Sequence, residues 1–362
     1  MGKSTIIPFG PHHPVLPEPI HVDLVVEDER VVEALPQIGF IHRGLERLVQ
    51  TKDYNQFIYV AERICGICAF GHSLGYAETV ERLMGVEVPR RAEYLRVIWH
   101  ELSRVHSHLL WMGLAADAFG FESLFMHCWR LRERVLDLFE KTTGGRVILS
   151  VNRVGGVARD IDKGMLDHIV TVLDGMADDY DQILRTFLSN HSVRNRLCGV
   201  GVISNEEARN LTMVGPFARA SNVAYDARML GMGAYGDLSD FQPILHADGD
   251  CYARAIVRGR EVLQSIDIVK ETIARIPEGE VLTKVKGNPG DGAEACSVLE
   301  QPRGECYYFA RGNGTKFLDR MRMRTPTSMN LGGMAKALAG CDVADVNMII
   351  LTIDPCISCS ER

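Results

Sequence analysis

Two cysteine pairs carry the strongest chemical signal in this chain, Cys65-Gly66-Ile67-Cys68 and Cys356-Ile357-Ser358-Cys359. A two-residue gap lets both sulfurs of a pair turn toward one ion, and neither pair fills a four-coordinate site alone. Together they offer four soft thiolates, suited to zinc, iron-sulfur or nickel. A structural zinc tetrad is one reading, but zinc ribbons and knuckles separate their pairs by about 15 to 20 residues, because the metal replaces a core that a small module lacks. Here roughly 290 of the 362 residues lie between the pairs. A site that ties two such distant segments together is better explained as a buried centre enclosed by the fold. Independent redox dithiols are a third reading, and the βαβ context they need is missing.

Other signals are weaker. The cysteines Cys128, Cys198, Cys251, Cys296, Cys306 and Cys341 occur singly and are expected as small apolar fillers. Gly231-Met232-Gly233-Ala234-Tyr235-Gly236 satisfies G-x-G-x-x-G, but a dinucleotide site needs a strand before it and a helix after it, and Asp237 to Pro243 is poorly suited to start that helix. Gly2-Lys3-Ser4 echoes the end of a P-loop without its strand or first glycine. His100, His106 and His108 share a helix with Glu101 but lack H-E-x-x-H spacing, which favours packing or surface roles over zinc.

A large folded body must position the pairs. The chain has 362 residues, 46% hydrophobic and 24% charged, enough to bury a sizeable core. Its net charge of -7 argues against nucleic acid, whose binders concentrate Lys and Arg. Met1 to Gly10 lacks the apolar run of a secretory signal, and no stretch approaches the roughly 18 apolar residues of a membrane span, so a cytoplasmic chain with reduced thiols is expected. Pro8-Phe9-Gly10-Pro11-His12-His13-Pro14 is too Pro-rich for regular structure, while His21 to Ala34 alternates around Asp28-Glu29 as a β-hairpin does.

Leu95, Ile98, Leu102, Val105, Leu109 and Met112 recur at helical steps, and Gly120 allows a reversal. Leu124, Cys128, Leu131, Val135 and Leu138 repeat the pattern, as do Met165, Ile169, Val172, Met176, Tyr180, Ile183 and Phe187. A weaker stripe, Ile256, Leu263, Ile266 and Ile273, stops at Pro277. Gly199 to Ser204, Gly231 to Pro243 and Gly287 to Gly292 read as loops with some short strand. The expectation is a mainly α fold, a long-helix bundle core with small peripheral β-structure, forming one catalytic domain over residues 1–362. Within it, 1–60 holds the hairpin and loops, 61–280 the helical core, and 281–362 the second cysteine pair.

Arg63-Ile64-Cys65-Gly66-Ile67-Cys68 with His72, together with Asp354-Pro355-Cys356-Ile357-Ser358-Cys359, resembles the paired signatures of nickel-iron hydrogenase large subunits. Gly10-Pro11-His12-His13-Pro14 and Gly39-Phe40-Ile41-His42-Arg43-Gly44-Leu45-Glu46 are similar to the energy-converting, membrane-associated Ech-type branch, which is related to the quinone-facing subunit of respiratory complex I. The complex I relative has generally lost the four cysteines, so their presence favours hydrogen chemistry. Only Ser360-Glu361-Arg362 follows Cys359, which resembles the Ech-type branch in needing no C-terminal trimming. Other branches have a terminal His there and build a magnesium site. Its lack here leaves magnesium doubtful and Glu46 a weak metal candidate.

The resemblance implies a nickel-iron centre whose iron carries carbon monoxide and cyanide, with Cys65 and Cys356 as terminal nickel ligands and Cys68 and Cys359 as bridges. It implies Cys356 as first proton acceptor, with Arg303 of Pro302-Arg303-Gly304 as the competing candidate, and Glu18 of Leu16-Pro17-Glu18-Pro19 as the next proton carrier. Arg303 would also hydrogen-bond the cyanides, Asp354 would orient Arg303 or cap local backbone, His72 would contact a bridging sulfur, and Thr327 would face a cyanide. No cysteine set is left for a second cluster. An iron-sulfur small subunit, membrane subunits and ferredoxin are therefore implied as partners, with peripheral attachment to the cytoplasmic face of a membrane. The rival is a structural or interaction subunit, like the complex I relative, holding a zinc tetrad and doing no hydrogen chemistry.

Overall fold

The computed structural model describes residues 4–13, 16, 18–238 and 241–362. Gly2 and Lys3 of the P-loop echo, Pro14 of the opening motif, Pro17 beside Glu18, and the 239–240 part of the segment after the glycine motif lie outside the described residues. In chain order the elements are β1 (Thr5–Phe9), β2 (His21–Glu27), β3 (Arg30–Gln37), α1 (Leu45–Leu48), α2 (Tyr54–Glu62), α3 (Ala69–Met84), α4 (Arg90–Ala118) and α5 (Glu122–Thr143). Then follow β4 (Asn152–Arg153), β5 (Gly156–Val157), α6 (Lys163–Ser189), α7 (His191–Leu197), α8 (Asn205–Asn210), α9 (Gly215–Arg219) and α10 (Cys251–Arg275). The chain ends with β6 (Glu294–Gln301), β7 (Gly304–Gly312), β8 (Leu318–Arg324), α11 (Pro326–Leu338), α12 (Val346–Ile353) and α13 (Ile357–Ser360).

The four apolar stripes become α4, α5, α6 and α10, and α4 lies at the centre, packed against α5 and α10. Its stripe Leu95, Ile98, Leu102, Val105, Leu109 and Met112 is fully buried, at about 1.5–3 kcal/mol per side chain. That exceeds any loss from its β-branched residues. Unusually, α4 is buried on its other faces as well, where Arg96, Glu101, Arg104 and His108 are matched by Glu81, Arg228 and Glu261. Pairing makes such burial tolerable. The Asp162 and Asp250 side chains cap α6 and α10 at Met165 N and Ala253 N, and α10 ends at Ile276 before Pro277. Among the described residues no helix is long and apolar enough to cross a membrane.

The hairpin β2–β3 turns on Asp28 and Glu29, both at positive φ (47° and 65°), and β3 runs on to Gln37. The opening departs from expectation: Pro8 lies within β1, paired with Asp23. Because β1 is an edge strand, a missing N–H on its outer side is tolerated. The antiparallel sheet β6-β7-β8 is small, as expected, and from its buried face Leu299, Cys306, Tyr308 and Ala310 join the main core and pack on α3. A Cβ built on Gly75 would lie 2.6 Å from Leu299 and Tyr308, so glycine is what allows helix and sheet to touch. Two expected apolar fillers are corrected. Cys198 ends α7 at the surface and Cys296 faces outward on the edge strand β6, so both are exposed, while Cys128, Cys251 and Cys306 are buried. His100, His106 and His108 are all buried.

Candidate metal centre

The first cysteine pair lies between α2 and α3, with Cys68 as the residue that starts α3. The amides of Ile67 and Cys68 turn back on Cys65 Sγ at 3.3 and 3.4 Å. The second pair follows α12, which stops at Asp354 in the left-handed region (φ 60°, ψ 56°), a conformation costly for a non-glycine residue by about 1–3 kcal/mol. Pro355 cannot continue the helix. Cys356 then emerges extended into the single turn α13.

Side chains from elsewhere hold that turn. Cys356 N donates to Thr327 Oγ1 at 2.9 Å, from the first turn of α11. Glu18 accepts from Ile357 N, from Ser358 N at 3.1 Å and from Ser358 Oγ at 2.7 Å. Arg43 Nη2 donates to Ile64 O at 3.1 Å and Ser358 O at 2.7 Å, bridging the backbones of both cysteine segments. Glu361 accepts from the amides of Gly39 and Ile41.

The result is one buried cluster of Cys65, Cys68, Cys356 and Cys359, none more than 3% exposed. Cys65 Sγ is 3.3 Å from Cys356 Sγ, which is 2.9 Å from Cys359 Sγ. The sulfurs of Cys65, Cys356 and Cys359 lie within 4.8 Å of one another, and Cys68 stands outside that mutual set, toward Arg303. Four buried thiols with one cation beside them fit a thiophilic transition metal. Hydrogen bonds from Cys356, Cys359 and Cys68 pull the Cys65 thiol well below its ordinary value. Hydrogen bonds to Cys356 and Cys65 push Cys359 up.

Arg303 occupies the two-residue turn of the β6–β7 hairpin, after the buried Pro302. Gly304, at φ 132°, lets this tip meet α9: a Cβ there would lie 2.9 Å from Gly215 Cα. Arg303 Nη1 points at Cys68 Sγ (3.6 Å), Nη2 binds Asp354 Oδ1 (2.7 Å) and Nε binds Asp354 O (2.8 Å). Burial opposes this cation, but Asp354 and Cys68 outweigh it and hold the guanidinium charged. His72 Nε2 lies 3.2 Å from Cys359 Sγ, and its Nδ1 meets Tyr308 Oη. Burial pulls His72 down to about 4 and pushes Tyr308 well above its usual value, so a neutral ring accepts from the phenol and offers Nε2–H to the sulfur. Cys356 Sγ is 3.9 Å from Glu18 Oε1.

Glu46 does not fit as a metal ligand here. Its oxygens accept from Arg362 Nε (2.9 Å), Arg322 Nη1 (2.8 Å) and Met323 N (3.0 Å), so two guanidiniums stand where a cation would bind. Three contributors went unassigned in the sequence. Tyr308 belongs to an alternating run, Cys306, Tyr308 and Ala310, that signals a strand with one buried face. Arg43 and Ser358 lie inside motifs already singled out, but their partners are a backbone carbonyl and a distant carboxylate, which leave no trace in residue type.

Fold and site define a class: a mainly helical protein whose two C-x-x-C motifs close one buried sulfur cluster. The description "Respiratory-chain NADH dehydrogenase, 49 Kd subunit" matches residues 118–290 and 282–362, and "Nickel-dependent hydrogenase" matches 43–115. The carbon monoxide-induced hydrogenase of Rhodospirillum rubrum is 37% identical over 98% of this chain and 99% of its own length. The membrane-bound hydrogenase subunit alpha of Pyrococcus furiosus is 38% identical over 98% of this chain and 87% of its own. An NADH-quinone oxidoreductase subunit of Thermodesulfovibrio yellowstonii is 34% identical over 99% of this chain and 96% of its own. A chain of the membrane-bound sulfane sulfur reductase, an archaeal respiratory membrane complex, superposes with a TM-score of 0.94 at 27% identity, covering 99% of this chain and 98% of that one. The chain belongs to the family that unites nickel-dependent hydrogenase large subunits with the 49 Kd subunit of respiratory-chain NADH dehydrogenase.

Proposed function

We propose that this chain is the catalytic subunit of a nickel-iron hydrogenase that interconverts hydrogen with protons and electrons. The observation that carries the reading is the meeting of all four cysteines in one buried cluster under the Arg303–Asp354 pair. A single tetrahedral zinc would draw all four sulfurs to about 3.8 Å from one another. Cys68 Sγ falls outside the 4.8 Å set of the other three and faces the Arg303 guanidinium at 3.6 Å. Cys65, Cys68, Cys356 and Cys359 would hold a nickel-iron centre whose iron carries carbon monoxide and cyanide, and this centre would supply the hydrogen-splitting chemistry.

The chain's own residues would handle the proton. Cys356 Sγ takes it first and passes it to Glu18 Oε1, 3.9 Å away, a carboxylate already held by the Ser358 hydroxyl and amide. Arg303 keeps a fixed fork of donors over the cluster, oriented by Asp354; held charged there, it donates hydrogen bonds and leaves Cys356 as the proton acceptor. His72 offers a hydrogen bond to Cys359, and Thr327 fixes the Cys356 amide. Electrons would leave through a partner iron-sulfur subunit to or from ferredoxin, in an ion-pumping complex whose membrane subunits hold this chain on the cytoplasmic face. Relatives named as hydrogenases or hydrogenase subunits, one of them membrane-bound, support this.

The second reading is an interaction subunit with structural zinc, favoured by the three sulfurs in mutual reach and by the NADH-quinone oxidoreductase relatives. Metal analysis of the purified complex separates the two. One nickel per copy of this chain, with iron in excess from the partner's clusters and infrared bands of bound carbon monoxide and cyanide, is expected; zinc in place of nickel, with no such bands, would overturn the hydrogenase reading.

A further inference from the structure

The last carbonyls of a helix need partners from outside it, and at α12 three of them are met by buried side chains. Ile350 O and Leu351 O accept from Asp354 N, and Leu351 O also accepts from Trp111 Nε1 at 2.8 Å. Arg258 of α10 takes the next two: Nη1 donates to Thr352 O at 2.5 Å and Nη2 to Ile353 O at 2.9 Å. The same guanidinium lies over the Trp111 ring, 5.1 Å from its centroid. Its Nε faces Asp354 Oδ2 at 4.0 Å, and neither of those two atoms has a hydrogen-bond partner. Arg258 is 1% exposed.

Asp354 therefore stands between two guanidiniums. Arg303 binds Oδ1 from the sulfur side, and Arg258 faces Oδ2 from the helical core. The other charges around Arg258 are Glu261, Arg254 and Arg303. Glu261 is engaged by Arg219 and His108, which leaves Asp354 as the counter-charge for Arg258. Two residues after Asp354 the chain delivers Cys356.

We propose that Arg258 is a positioning residue for the metal centre: by holding the last carbonyls of α12 and facing Asp354, it sets where Arg303 stands over Cys68 and where Cys356 enters the cluster. The proposal deepens the hydrogenase reading and, in its spectroscopic arm, rests on it. A fork of donors is required, because two adjacent carbonyls and a carboxylate must be met from one planar group; lysine keeps the charge and meets only part of the set.

The test uses the intact complex with Arg258→Met, Arg258→Lys and, as a control for loss of a buried arginine that bonds Glu81 rather than α12, Arg96→Met. In Arg258→Met, amide exchange over residues 351–359 is expected to quicken by at least about tenfold while exchange in α6 stays unchanged. Hydrogen turnover should fall about tenfold or more, and the cyanide infrared bands should move, since Arg303 is displaced. Arg258→Lys should recover part of the exchange protection and of the band positions. Where Arg258→Met fails to assemble, the lysine variant decides, and bands and exchange identical to wild type in it overturn the proposal. So do unshifted bands in Arg258→Met, or equal quickening of residues 351–359 in Arg96→Met. If the wild-type complex shows no such bands, the hydrogenase reading fails, and the exchange arm alone still judges Arg258.

Discussion

Cys65 and Cys68 sit where α3 begins, and that helix is buried over most of its length against β6 and β7, whereas Cys356 and Cys359 lie in a single turn held by side chains from other elements. The first pair inherits its place from apolar packing. The second depends on Thr327, Glu18, Arg43 and the Arg303–Asp354 pair, each through a few directed hydrogen bonds. Packing is distributed and tolerates volume-conserving change, while a directed clasp fails at one atom. Mutations near the second pair should therefore alter the site and spare the fold, and those near the first should do the reverse.

The largest expected effect is in the second half. Cys356→Ser replaces a soft thiolate with a hydroxyl, and nickel per chain should fall to below about a tenth of wild type while the melting temperature of the complex stays close to it. Metal analysis beside thermal unfolding reads both, and an equal collapse in melting would erase the contrast between the halves.

Acid attacks the scaffold of the first half. Burial holds His100 and His106 down to about 3 and His108 to about 4, below the 6.5 of an unfolded histidine. Below pH 6.5 the unfolded chain binds protons that the native chain refuses, so stability present above 6.5 is lost as pH falls toward 4. Each buried ring contributes up to about 1.4 kcal/mol per pH unit in that window. Denaturant midpoints at pH 7 and 5 check it, and equal midpoints would mean these rings are not sealed.

Glu18→Gln keeps the shape and an acceptor for the Ser358 contacts but removes the carboxyl proposed to take the proton from Cys356. Both metals should stay bound and hydrogen turnover should drop about a hundredfold. Intact turnover would remove Glu18 from the proton path.

Gly75→Val returns to the first half. The new side chain would meet Leu299 and Tyr308, and overpacking of this kind costs about 1–3 kcal/mol. A lowered melting temperature with nickel content unchanged in the folded fraction is expected. An unchanged melting curve would show that α3 and the sheet slide apart freely.

The same contrast decides how much was readable in the sequence. The stripe on α4 and the stop at Pro277 follow from periodicity and backbone chemistry, so the helical core was legible. The four cysteines were legible because residue type and spacing are themselves the signal. The sheet β6-β7-β8 was not, since Glu294 to Gln301 and Leu318 to Arg324 mix charged and apolar residues and gain strand character by packing on α3. Nor was the clasp: Arg43 reads as an ordinary surface cation until Ile64 O and Ser358 O are brought to it by the fold.

One residue belongs to both halves and sets the smallest effect. Tyr308 packs in the β7 face against α3, and its hydroxyl meets His72 Nδ1, fixing the ring that offers Nε2–H to Cys359. Tyr308→Phe keeps the packing and removes one donor, leaving a buried acceptor unpaired at about 1 kcal/mol. A slightly lowered melting temperature is expected, with nickel retained and a small displacement of the cyanide bands as the hydrogen bond to Cys359 weakens. If the variant instead loses nickel as completely as Cys356→Ser, the His72–Cys359 contact belongs to the clasp, and the first half is not held by packing alone.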